Sequence, residues 1–323
     1  VTPMDVPSFR DGPGETEMQP TMNTIGNLLL QIGIVVVMFS MGLQVTGGQL
    51  AAALRRRRLM GQALVANLIV LPLAALALSR LVAMPDAVAA GFLIASIAPG
   101  ASLSPKLSEI ARADISFAVS LLFVLATLSV VATPLLAGLL LPNNPSLQFE
   151  PLKVIRILVI FQLIPLLAAL AIHRWRPGLA GRLRRPSILL ANILFAVIVA
   201  FYLIRDFPAL RMLPPATLPA MVAMTFVSLG AGWYLGGPDR ATRQALAFGT
   251  SVEFTGLALL ITSLSFPGTA ANITVVAFGL VMIVVNTTAA LIWYRRAGAA
   301  AAATAPPISG QQAAVDLRRT PQP

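Results

Sequence analysis

The 323-residue chain contains no cysteine. That excludes disulfides, thiolate metal centres, cysteine nucleophiles and capture of a metalloid by thiols. It has a single histidine, His173, which stands beside Arg174 at the end of an apolar run, where a solvated, interfacial role is expected. No histidine–glutamate pattern for zinc is present, and no serine–histidine pair lies deep in an apolar segment, so the chain does not read as an enzyme. Charge is scarce too. Charged residues make up 11% and hydrophobic ones 57%, with a mean hydropathy of +0.83. Soluble domains carry about 25% charge, so a transmembrane protein is the class that remains. Acidic residues are the rarer sign, 12 against 23 Lys and Arg. The resulting charge of +11 does not point to nucleic acid, because the arginines sit in short loops between apolar runs and mark one side of a membrane.

What the chain does have is apolar runs. At about 20 residues for ~30 Å of hydrocarbon, nine spans are expected near 24–46, 59–81, 86–106, 115–141, 152–173, 187–206, 215–236, 244–266 and 270–294. Residues 1–22 are polar and hold no apolar core before a cleavage site, so a flexible exterior tail is expected there. Residues 297–323, rich in Ala, Pro and Gln, read as a disordered cytoplasmic tail. The transporter domain is then 23–296. Arg55 to Arg58, Arg112, Arg174 to Arg185, Arg240, Arg243, Arg295 and Arg296 fall on one side, with Arg80, Lys153, Arg156, Arg205 and Arg211 as exceptions on the other. The expected location is the cell inner membrane, with the N-terminus outside and the C-terminus in the cytoplasm.

Two spans are interrupted. The third runs into Pro99-Gly100 and then Pro105-Lys106, with Ser102 and Ser104 between; two prolines and a glycine break a helix. The eighth carries Gly249, Thr250, Ser251, Glu253, Thr255 and Gly256 at its middle. The two spans run in opposite directions at matching places of two halves, the pattern of an inverted repeat with the substrate site at the breaks. Irregular backbone at that depth is tolerated where protein or a water-filled cavity surrounds it.

Three groups of residues stand out together: Met38 to Leu43; Ala98 to Pro105 with Ala111 to Ser116 and Thr133 to Leu135; and Gln244 to Leu246 with Thr255 to Ala258. In this ordered set the chain resembles the bile acid:sodium symporter family. The likeness extends at family-typical spacings over roughly residues 30–294. The resemblance implies an all-α membrane fold with two crossed broken helices, a core and a panel domain. It also implies a small organic anion bound between them, with sodium ions on the core side. Ser102 and Asn286 match positions facing the substrate, and Ser104 and Thr255 are further candidates for binding it. The sodium ligands depart from the pattern: Pro105 stands at the family's asparagine, Ala118 and Leu122 at hydroxyl ligands, and Gly249 at its glutamate. Glu253 falls one turn later, at a glutamine, and Asn67 matches another glutamine. Ser104, Asn67 and Glu253 remain as oxygen ligands, too few for two hard cations.

Two readings of Lys106 stay open. It snorkels to the interface, or it replaces a sodium ion and pairs with Glu253, lowering the cost of both charges at mid-membrane. Ser102 and Asn286 have their own alternative as helix–helix hydrogen bonds. The function expected is a secondary transporter of a small organic anion in a lipid bilayer, without cofactor and weakly dependent on sodium or independent of it. A proton-coupled transporter of the same fold and a receptor on this scaffold are the alternatives.

Overall fold

The computed structural model describes residues 18–141, 149–205, 207, 211 and 213–304, and every element among them is helical. The expected tails, as far as residues 1–17 and 305–323, and the loop 142–148 lie outside the described residues. Seven helices are long and apolar enough to cross a membrane. They are α1 (Met18–Gly42), α3 (Arg57–Leu81), α6 (Ile115–Leu140), α7 (Pro151–Trp175), α8 (Pro177–Arg205), α9 (Thr217–Leu235) and α12 (Ala271–Thr304).

The expected third and eighth spans are each two short helices. α4 (Asp86–Ser96) and α5 (Leu103–Ile110) replace the first, and α10 (Arg240–Ser251) and α11 (Thr255–Ser265) the second. The short α2 (Gly47–Arg55) was not expected. It forms because Thr46 and Gln49 cap each other's backbone N–H, both at 3.2 Å, the capping box that satisfies two orphan donors. The Ser120 hydroxyl donates to the Gln49 carbonyl at 3.1 Å, and Arg56 meets Asp114 at 2.8 Å, so α2 is tied to α6 at both ends.

Boundaries differ elsewhere as well. α8 begins at Pro177, ten residues before the span expected at 187, so Arg182, Arg184 and Arg185 ride on exposed helix and not in a loop. Proline fits the first turn of a helix, where its missing N–H has no partner to lose. α12 continues to Thr304, past the span end expected at 294 and into the stretch expected to be a disordered tail from 297. His173 is not simply solvated: its Nδ1 donates to the Leu43 carbonyl at 2.8 Å, fastening the end of α7 to the end of α1.

α3 and α7 each contain one wide π turn, at Ala66–Val70 and Val159–Leu163. Each is followed by a proline at its second residue onward, Pro72 and Pro165. Proline cannot donate to the turn before it, and the backbone there widens to five-residue pairing. The wide turns place Asn67 and Gln162 inward, 2% and 0% exposed. Gln162 Nε2 reaches the Ala126 carbonyl at 2.7 Å and the Ser129 hydroxyl at 2.8 Å. α1 packs on α7 and α8, α9 on α10, and α4 on α12.

Candidate functional site

The two helix breaks meet. α4 stops at Ser96, and residues 97–102 cross the interior without regular structure. Gly100 takes φ +105° there, against the backbone of Ala126, a conformation open to glycine and costly for a side chain. Breaking a helix in an apolar interior strands carbonyls, and each needs a donor. The Thr133 hydroxyl donates to Ile97 O at 2.8 Å. The Phe254 N–H donates to Ala98 O at 2.6 Å, and the Ser104 N–H to Ala101 O at 3.2 Å. Pro99 and Glu253 face each other as an isolated antiparallel bridge. Each break thus supplies the backbone partner that the other lacks.

A cavity of about 280 Å³ opens at this crossing. Ala101 and Ser102 enter from the first break and Lys106 from α5, while Glu253 enters from the second break and Thr255 from the start of α11. Asn192 and Phe195 of α8, Val37 of α1 and Met282 of α12 complete it. Its body is apolar, with one cation and one carboxylate, the make-up of a site for a small amphiphilic solute. Lys106 Nζ donates to Asn192 Oδ1 at 3.2 Å. Glu253 is 5% exposed, and neither carboxylate oxygen has a hydrogen-bond partner among the described residues. Its backbone N–H is held by Met282 Sδ at 3.0 Å.

The sequence-derived site residues therefore separate into two groups. Ser102, Thr255, Lys106 and Glu253 share the cavity wall. Ser104, Asn67 and Asn286 do not line it. Ser104 is buried with its hydroxyl unpartnered. Asn67 donates to Ala63 O at 2.8 Å and leaves its own oxygen unpartnered. Asn286 accepts from the Ser251 hydroxyl and donates to Met282 O at 2.9 Å and Ser251 O at 3.2 Å. That fully committed amide clamps the end of α10 to α12. The direct Lys106–Glu253 ion pair is corrected: the ammonium sits on Asn192, and the ion pair found among the described residues is Arg56–Asp114. Lys106 is exposed as well as lining the cavity, so the snorkelling reading stays open.

The positions implied as sodium ligands are filled by apolar packing. Ala118 lies in a cluster with Phe117, Leu121 and Leu125, Leu122 belongs to the main core, and the Leu121 side chain occupies the space beside Gly249. Three oxygen-bearing groups with unpartnered atoms persist: Ser104, Asn67 and Glu253.

The model of the sodium bile acid symporter family matches residues 31–208, more than half of the chain. The chain belongs to this family. Two plant proteins are similar to this member of the sodium bile acid symporter family over 105 residues. "Probable sodium/metabolite cotransporter BASS3, chloroplastic" of Arabidopsis thaliana is 31% identical, over 32% of this chain and 24% of that protein. Its namesake in Oryza sativa subsp. japonica is 32% identical, over 32% of this chain and 25% of that protein. The chain thus aligns with about a quarter of the length of these relatives.

Asn192 is the site residue that sequence reasoning missed. Its signal was a lone amide in the run Ile188 to Phe195. A single amide in an apolar helix reads equally well as a helix–helix contact, and only the approach of α5 distinguishes the two.

Proposed function

We propose that the protein is a secondary transporter that carries a small organic anion through the bilayer by alternating access. The observation that carries this reading is the cavity at the crossing of two broken helices, with Lys106 and Glu253 on its wall. Lys106, held by Asn192, receives the anionic group; Phe195, Val37 and Met282 take the apolar body; Ser102 and Thr255 offer hydroxyls. Glu253 takes the coupling cation on its two unpartnered oxygens. Counting α4–α5 and α10–α11 as one crossing each, the chain crosses nine times over residues 23–296. The crossed pairs with α3, α6, α9 and α12 form a core, and α1, α7 and α8 a panel that moves against it.

The relatives' names speak of sodium and a metabolite. Here the apolar residues Ala118 and Leu122 and the space at Gly249 favour weak sodium dependence or none, and the unpartnered Glu253 favours a proton in its place. Proteoliposomes loaded with a candidate anion test the whole reading. Counterflow of radiolabelled anion is expected, driven by a pH gradient and little changed when choline replaces sodium. Binding without counterflow would make the protein a receptor. A steep requirement for two sodium ions would show that Ser104, Asn67 and Glu253 suffice as ligands.

The orientation is equally accessible to test, because the chain has no cysteine of its own. Gly181→Cys, at an exposed site with open space around it, is expected to label from the cytoplasmic face. Pro267→Cys, exposed between α11 and α12, is expected to label from the exterior of the inner membrane. Labelling of both from one side refutes the nine-crossing count.

A further inference from the structure

A concave feature lies at the helix ends, away from the crossing. A cavity of about 810 Å³ lies between the α2–α3 corner and the α9–α10 turn. Arg55, Arg56, Arg57, Arg58 and Arg243 line it, with Asp239 as the one carboxylate. A second cavity of about 650 Å³ adjoins it through Pro238 and Arg243 and adds Arg240, Arg296, Trp233 and Trp293. Orientation by loop charge accounts for arginines on this side. It does not account for their convergence on one concave site.

The site is built on fixed backbone. The Thr242 hydroxyl donates to Gly236 O at 2.7 Å and Asp239 O at 2.9 Å, closing the α9–α10 turn. Arg243 Nε donates to Gly237 O at 2.6 Å, which leaves the rest of its guanidinium for the cavity. Arg56 is neutralised by Asp114. Arg55, Arg57, Arg58, Arg240 and Arg296 are exposed and have no ion pair among the described residues. The planar fork of arginine matches phosphate oxygens in pairs. Trp233 and Trp293 lie with ring centroids 5.3 Å apart at the edge, the level at which indoles settle in a headgroup layer.

The helices that lead away from this mouth are apolar on their outer faces. Val65, Ile69 and Leu73 are 44%, 53% and 58% exposed and recur every fourth residue on α3. Phe226, Val227 and Tyr234, at 60%, 41% and 87%, form the corresponding stripe on α9, which packs beside α3.

We propose that this arginine cavity binds the phosphate head of an anionic phospholipid, whose acyl chains lie along the exposed apolar faces of α3 and α9. Clusters of cations next to membrane helices attract anionic headgroups, each by an amount that multiplies binding severalfold. The site is independent of the crossing and of what the protein transports.

The test uses the full chain purified in a neutral detergent, with phosphatidylglycerol, phosphatidylcholine or inorganic pyrophosphate added, read by melting temperature and by native mass spectrometry. Phosphatidylglycerol is expected to raise the melting temperature and phosphatidylcholine to leave it unchanged. The triple variant Arg55→Gln, Arg57→Gln, Arg58→Gln is expected to weaken phosphatidylglycerol binding by about a hundredfold. A control triple, Arg182→Gln, Arg184→Gln, Arg185→Gln, removes the same charge from exposed positions on α8 and is expected to bind as the parent does. Equal loss in both triples would reduce the effect to diffuse charge. An equal shift with pyrophosphate would make the site one for a soluble polyanion, and no shift at all would remove the site. Each of these overturns the proposal. Should the first triple fold poorly, Arg58→Gln and Arg240→Gln singly give the same comparison at smaller amplitude.

Discussion

Glu253→Met is expected to melt at or above the parent temperature while gradient-driven uptake is lost. The side chain is 5% exposed and neither of its oxygens has a hydrogen-bond partner among the described residues. A buried polar group left without a partner costs about 1–3 kcal/mol, and an apolar replacement of similar volume removes that cost. A group so placed is kept for what it binds and not for stability, the familiar opposition of function and stability. Glu253→Gln keeps the shape but replaces one acceptor oxygen by an NH2 donor and removes the charge, and is expected to lower coupled uptake at least about tenfold, ~1.4 kcal/mol. Lys106→Met should cut anion uptake by a similar factor. Because Lys106 rests on Asn192, the melting effects of the Lys106 and Glu253 replacements are expected to add within about 0.5 kcal/mol. A parent-like uptake in Glu253→Gln would remove the carboxylate from the mechanism. Strong non-additivity in melting would restore the direct pair that this conformation does not contain.

Gly100→Val should be the most damaging single change in the core, by about 2–6 kcal/mol when the two causes are combined. The first is φ +105°, a region closed to β-branched residues. The second is space: an added Cβ meets Ala126 N, Cα and Cβ at 3.0, 3.1 and 3.2 Å, so the backbone of α6 must move. Any such movement also disturbs the Thr133 and Phe254 hydrogen bonds to the neighbouring carbonyls. Gly230→Ala is the matched control. Gly230 lies inside α9 with nothing within 4 Å of its added Cβ, so a gain of about 0.5–1 kcal/mol is expected. Thermal unfolding in one detergent measures both. A Gly100→Val protein that melts with the parent would mean that the break re-forms in another conformation.

How much of this could be read from the sequence depends on how strongly each residue constrains its neighbours. The breaks were legible, because Pro99-Gly100 and a mid-span Glu253 leave a helix few alternatives. Ser102 from the first break and Glu253 from the second share one cavity wall with Lys106, a meeting that paired interruptions of opposite direction suggest. The partner of Lys106 was not legible, since Asn192 sits 86 residues away on a helix whose start, at Pro177, was itself misplaced. The arginine run at 55–58 concealed α2, whose reason for existing is a side-chain cap at Thr46 and not an apolar stripe. Asn286 kept two readings, substrate contact or helix–helix hydrogen bond, because a sequence cannot say which face of α12 meets Ser251; its bonds to Ser251 and Met282 are of the second kind.

The wide turns at Ala66–Val70 and Val159–Leu163 bear on how this chain tolerates change in length. Such a turn holds one residue more than a regular one, so everything on its N-terminal side is set back by about 100° around the helix axis. Deleting a single residue there would not shorten a loop. It would restore a straight helix and rotate one half of it, turning Asn67 or Gln162 out of the interior and bringing a lipid-facing leucine or isoleucine into the place each now fills. In α3 and α7 the number of residues is therefore as much a part of the interior as their identity.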